Sequence, residues 1–135
     1  MNQVFADTGD WQAVLNPADQ LHAKAAAVSH GLGKVRLLTT EMVLGELLAP
    51  LAKPPARSMA NKGVESIRRN PNVEVLPQTS LQFEEAFELY RQHEDKGWSL
   101  TDCASFVVMR RRAIDRALAH DRHFTQAGFV ALLAD

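Results

Sequence analysis

Apolar positions recur at two spacings along this chain, and their alternation orders it. "QVFADT" (residues 3–8) and "KVRLLTT" (34–40) are short β-rich runs that predict strands, the second introduced by the Gly-rich turn "HGLGK". Between them, Asn16-Pro17 predicts an N-cap with proline in the first turn of an alanine-rich helix, "ADQLHAKAAAVS". In "TTEMVLGELLAPLA", Val43, Leu44, Leu47, Leu48 and Leu51 form one helical apolar face, closed by Pro50 and the prolines at 54 and 55. "PPARSMANKGVESIRRNPN" predicts a more polar helix ending near Asn70-Pro71, and "VEVLP" a third strand. "SLQFEEAFELYRQHEDKG" predicts an amphipathic helix that Gly97 terminates, and "SLTDCASFVVMRRRA" another helix. "DRALAHD" predicts a fourth strand and "GFVALL" an edge strand.

Strands alternating with helices, without repeats or an Asn-Gly hairpin signal, predict an α/β fold: a three-layer α/β/α sandwich around a mainly parallel sheet of four to five strands. The 135 residues, 46% of them hydrophobic, suffice for one sizeable core, so a single domain over 1–135 is expected. No apolar run approaches the roughly 20 residues of a membrane span, and the N-terminus lacks a signal-peptide pattern. The expectation is a cytoplasmic protein. Fifteen Lys and Arg against sixteen Asp and Glu leave a formal charge of -1, so only local clusters inform about partners. Cys103 has no second cysteine to pair with, and within "DCASFVV" it reads as a small buried residue.

Sites in open parallel sheets form beyond the carboxyl ends of the strands. Asp7 ends the first strand and Asp121 the fourth, while Glu46 and Asp102 lie early in the helices after Thr40 and Ser99. Each acid also has a structural explanation. Ser99 and Asp102 have capping-box spacing, Asp7 and Asp121 suit strand-ending turns, and Glu46 flanks the apolar face of its helix. Together they can meet at one end of one sheet, where crowded carboxylates raise one another's pKa unless a cation joins them. Oxygen donors without a cysteine cluster favour magnesium or manganese.

With these residues the chain resembles the PIN-domain family, and within it the VapC-type toxins of bacterial toxin–antitoxin pairs. The matching stretches are "FADTGDW", "TTEMVLGELL", "SLTDCASFVVM" and "ALAHDRHFTQAGF", in the family's order and spanning nearly the whole chain. The resemblance implies a parallel-sheet nuclease fold and a Mg2+- or Mn2+-dependent endoribonuclease with an RNA substrate, a cognate antitoxin partner and a homodimeric state. It maps the acidic set onto Asp7, Glu46, Asp102 and Asp121, with Asp7, Asp102 and Asp121 toward metal and the supporting hydroxyls onto Thr8 and Thr101. The first motif commonly continues with serine after Thr8, whereas here Gly9 follows and then Asp10, which reads as a helix cap or an extra acid. A non-catalytic PIN-like RNA-binding or interaction module is the alternative.

RNA requires cations, and the candidate clusters are Arg68 and Arg69, and Arg110, Arg111 and Arg112. A solvated helix face or a helix C-terminus explains them equally well. Trp11 and Trp98 read as packing residues before base-stacking ones. His120, Asp121 and His123 in "HDRHF" lack a partner site for zinc, and no phosphate-binding glycine loop occurs. The apolar faces of "VLGELLAPLA" and "FEEAFELY" serve either the core or a second subunit.

Overall fold

The computed structural model describes residues 2–135. In chain order the elements are β1 (Gln3–Ala6), α1 (Thr8–Leu15), α2 (His22–Gly31), β2 (Arg36–Thr40), α3 (Glu41–Leu48), α4 (Ala56–Arg69), β3 (Val73–Leu76), α5 (Ser80–Gln92), α6 (Leu100–Arg111), β4 (Arg116–Leu118), α7 (Arg122–Gln126) and β5 (Val130–Ala131). A single 3-10 turn, Ala49–Leu51, follows α3.

The five strands form one parallel sheet in the order β3-β2-β1-β4-β5, the centre of a three-layer α/β/α sandwich. The chain winds outward from β1 through β2 to β3, then restarts on the other side of β1 with β4. That reversal places a crevice at the carboxyl ends of β1 and β4, where their connections leave in opposite directions. Phe5 pairs with Ala117 and Ala6 with Leu118, so Asp7 and the residues after Leu118 emerge side by side. The Asp7 N–H bonds the Leu118 carbonyl at 3.1 Å and extends that pairing one residue further.

Aromatic packing holds the helices that carry the later acids. Phe106 of α6 meets Phe124 of α7 edge-on at 5.0 Å and Trp98 at 5.1 Å, and all three are buried. The indole N–H of Trp98 donates to Gln126 Oε1 at 3.1 Å, and that of Trp11 to Thr39 Oγ1 at 3.2 Å. Both tryptophans therefore pack in the core. On the other side, α4 approaches α1 through Gly63, where a Cβ would stand 2.6 Å from Leu15 Cδ1. Cys103 is fully buried, and burial followed by the neighbouring Asp102 charge pushes its thiol up to about 11, so no thiolate forms near neutral pH.

Three elements depart from the sequence expectation, one of them α7, a short helix between the fourth and edge strands that the sequence did not announce. The strand expected over residues 3–8 ends at Ala6, and "TGDWQAVL", given no element in the sequence, folds as α1, because the Asp7 carbonyl accepts the N–H groups of Asp10 and Trp11 and the buried Trp11 and Ala13 anchor the turn. Asn16-Pro17 does not start α2. The Asn16 side chain accepts the Ala18 N–H and the Asp19 side chain the Leu21 N–H, two local bonds that build turns and delay the helix to His22. No helix among the described residues is long and apolar enough to cross a membrane.

Candidate active site

A cleft of about 880 Å3 opens at the carboxyl ends of β1 and β4, lined by Asp7, Thr8, Glu46, Ser99, Asp102, Asp121, Arg122 and His123 among others. All four acids singled out in the sequence border it. Asp7 is the N-cap of α1 but makes no side-chain capping bond, and its Oδ1 is buried without a partner. Burial raises its pKa to about 7, and the charges of Asp102, Glu46 and Asp121 push the same way against the Thr8 N–H. Three acids from distant segments thus act on Asp7 through space.

Each neighbour is held by its own local chemistry. Ser99 Oγ accepts the Asp102 N–H and Asp102 Oδ2 accepts the Ser99 N–H, both at 3.0 Å, a complete capping box at the start of α6. The capping and cleft readings of Asp102 are therefore both true. Asp121 caps α7 by accepting the His123 N–H at 2.9 Å. Glu46 is exposed on α3, and the buried Thr8 hydroxyl donates to its Oε1 at 2.6 Å. Thr8 fixes one oxygen of Glu46 and leaves Oε2 without a hydrogen-bond partner.

The supporting and substrate-binding residues divide differently. Thr101 does not line the cleft, and the hydroxyl that reaches Asp102 is that of Ser99. Neither arginine cluster lines it either. Arg110, Arg111 and Arg112 stand eight to ten residues beyond Asp102, about 12 to 15 Å along a helix axis at 1.5 Å per residue. Arg111 pairs with Glu85, and Arg112 reaches Glu74 of β3 with bonds of 3.1 and 2.7 Å. Arg68 and Arg69 end α4 beside the amino end of the sheet, where the Asn72 side chain bonds the Val35 carbonyl and Arg69 pairs with Glu65. Arg69, Arg111 and Arg112 thus pair with acids of their own fold, and the arginine at the cleft is Arg122.

Asp10 is neither a helix cap nor part of the cleft. It lies inside the first turn of α1, 1% exposed, with Oδ1 unpartnered. Burial alone raises its pKa to about 7. His123, weighed in the sequence only as part of a zinc cluster, is a cleft residue in contact with two acids: its Nδ1 lies 3.0 Å from Asp102 Oδ2 and 3.1 Å from Asp121 Oδ2. Its only sequence signal was a position two residues after Asp121 on a helix start.

Four carboxylates against one guanidinium would repel a phosphodiester. The orphaned Asp7 Oδ1 and a donor set of carboxylate oxygens fit a hard divalent cation. Among the described residues, no three His, Cys, Asp or Glu side chains converge closely enough to form a ready-made cage. Magnesium characteristically keeps several waters and needs only one or two protein carboxylates.

The PIN domain family profile matches residues 4–130. The 23S rRNA-specific endonuclease VapC20 of Mycobacterium tuberculosis is 33% identical over 127 residues, covering 94% of this chain and 95% of that protein. The crystal structure of Mycobacterium tuberculosis VapC20, described as a Sarcin-Ricin loop cleaving toxin, superposes with a TM-score of 0.85 at 31% identity, covering 94% of this chain and 96% of that one. FitAcB from Neisseria gonorrhoeae shares the fold, with a TM-score of 0.62 at 18% identity over 95% and 94% of the two chains. With its acids gathered where the strand order reverses and its sequence matched along nearly its whole length, this chain belongs to the PIN domain family.

Proposed function

We propose that this chain is a divalent-metal-dependent endoribonuclease and the toxin of a type II toxin–antitoxin pair. The observation that carries this reading is the convergence of Asp7, Glu46, Asp102 and Asp121 on one cleft, with an Asp7 oxygen buried and unpartnered. The similarity to a 23S rRNA-specific endonuclease supports RNA as substrate and makes large-subunit ribosomal RNA the first to try.

Asp7 and Asp102 would hold Mg2+ or Mn2+, with Asp121 ligating through water or completing a second position. When bound, the ion supplies the positive charge that admits a phosphodiester and acidifies a coordinated water. Glu46 Oε2, left available because Thr8 engages Oε1, accepts the proton of the attacking water. The water oxygen bonds phosphorus as the bond to the leaving oxygen breaks. The Ser99 backbone N–H keeps Asp102 oriented throughout. Arg122 is the cleft cation placed to meet a flanking phosphate.

The exposed Phe83, Phe87 and Tyr90 of α5 support a homodimer, since three large aromatics along one helix face suit burial against a second copy. In "VLGELLAPLA", by contrast, Val43, Leu44 and Leu47 are consumed by the core.

The test is cleavage of an RNA panel containing large-subunit ribosomal RNA by the antitoxin-free protein, with manganese, with magnesium and with chelator. We expect metal-dependent cutting that falls below detection in Asp7→Asn and Asp102→Asn, both still folded because removing charge from a crowded pocket relieves repulsion. Cutting that survives chelator, or folded variants that cut at the wild-type rate, would overturn the assignment.

A further inference from the structure

The reaction proposed above uses the cleft carboxylates and leaves His123 without a task, although it touches two of them. Two carboxylate oxygens, Asp102 Oδ2 at 3.0 Å and Asp121 Oδ2 at 3.1 Å, face the same ring nitrogen. That nitrogen must carry its proton, because a lone pair there would oppose lone pairs from both acids. That N–H bonds Asp102 Oδ2 and at the same time lies 3.1 Å from Asp121 Oδ2, so one ring nitrogen stands between the two acids.

The remaining oxygens can be followed one by one. Asp121 Oδ1 accepts the His123 backbone N–H, so both of its oxygens are tied to His123. Asp102 Oδ2 takes the imidazole and the Ser99 N–H, which leaves Oδ1 uncommitted. Asp7 Oδ1 is buried with no partner at all. With Glu46 Oε2 assigned to the attacking water, the oxygens left for a cation belong to Asp7 and Asp102. The ring itself is backed by Gly97, where a Cβ would stand 3.7 Å from Nε2, and its side chain is only 22% exposed. It has little room to turn aside.

We propose that the His123 imidazole takes the place of a second cation between Asp102 and Asp121, so that the cleft holds a single divalent ion through Asp7 and Asp102. An N–H dipole between two carboxylates offsets their repulsion as an ion there would, while closing the position to one. Asp121 then serves as the anchor that sets the ring rather than as a ligand. His123 is a positioning residue whose effect is on how many ions bind, a choice that the metal-nuclease reading, on which this inference rests, leaves open.

Calorimetric titration of the antitoxin-free full chain with manganese chloride reads that number directly. The wild type should take up one ion per chain and His123→Ala two. His123→Asn, whose amide nitrogen reaches the place of Nδ1, should remain at one. Two ions in the wild type, or one in a folded His123→Ala, would overturn the proposal. No uptake by the wild type would instead sink the metal-nuclease reading and this inference with it. A second measurement needs no variant: in nuclear magnetic resonance spectra of the wild type, the hydrogen-bonded Nδ1–H signal of His123 should persist at saturating magnesium. Its loss on ion binding would overturn the proposal whether or not His123→Ala folds.

Discussion

Asp7 and Asp10 stand one turn apart on α1 and are nearly equally buried, yet they belong to different regions of the molecule. Asp7 begins the side of the helix that, with Thr8, Gly9 and Gln12, borders the cleft. Asp10 lies with Trp11 and Ala13 among the buried residues of the same helix. Both carboxyls are raised to about 7 and burial is the larger cause in each, but only Asp7 is pushed further by other acids. The difference teaches that a raised pKa by itself marks desolvation, whereas coupling to carboxylates from other elements marks a site. Asp7 borders the cleft where the proposed cation would bind, whereas Asp10 is buried away from it.

The sharpest way to break the comparison is on the cleft side. Glu46→Gln keeps the shape and removes the proposed base, so cleavage should fall by roughly 10²- to 10⁴-fold. Thr8→Val, which only frees Glu46 Oε1, should lose about tenfold, at the lower end of what supporting hydrogen bonds contribute. Initial rates on one RNA decide it. Equal losses in the two variants would mean that Glu46 acts through its contact with Thr8 and not on water.

The core side is read by stability against pH in the metal-free protein. A carboxyl whose folded pKa is raised from 3.8 to about 7 holds its proton more tightly when folded, so stability falls as pH rises between those values and levels off above. Asp10→Asn cannot ionise. Relative to the wild type it should gain roughly 2 kcal/mol between pH 5 and pH 8 in denaturant melts, while cleavage stays within about twofold. Parallel stability curves would show that Asp10 finds a partner or water, and a large loss of cleavage would place it in the site after all.

The smallest effect is expected far from both regions. Arg112→Ala should lower stability by less than about 1 kcal/mol, because its pairing with Glu74 is partly exposed, and should leave RNA affinity and cleavage unchanged. A tenfold loss of RNA binding in a filter assay would return the arginine run to the substrate path.

Much of this architecture was legible in the chain. Short apolar runs alternating with helical periodicity implied a parallel sheet, and a parallel sheet carries residues such as Asp7 and Asp121 to one edge. The ranges of β1 to β5 and of α3 to α6 follow patterns with a period of two or 3.6, which are local properties. Helix α1 was hidden because Gly9 and Asp10 weaken its propensity, and what stabilises it is the burial of Trp11 and Ala13 against other elements.

The sequence by itself determined that this protein alternates strands and helices, ends two strands with Asp7 and Asp121 and sets Glu46 and Asp102 in helices, since side-chain periodicity and capping chemistry act over a few residues. Only the tertiary structure decided that β4 lies against β1, that His123 therefore bridges Asp102 and Asp121, that Asp10 is sealed away from Asp7, and that Arg111 and Arg112 are used by Glu85 and Glu74. Those outcomes are contacts between distant segments, and a contact of that kind depends on strand order and packing rather than on spacing along the chain.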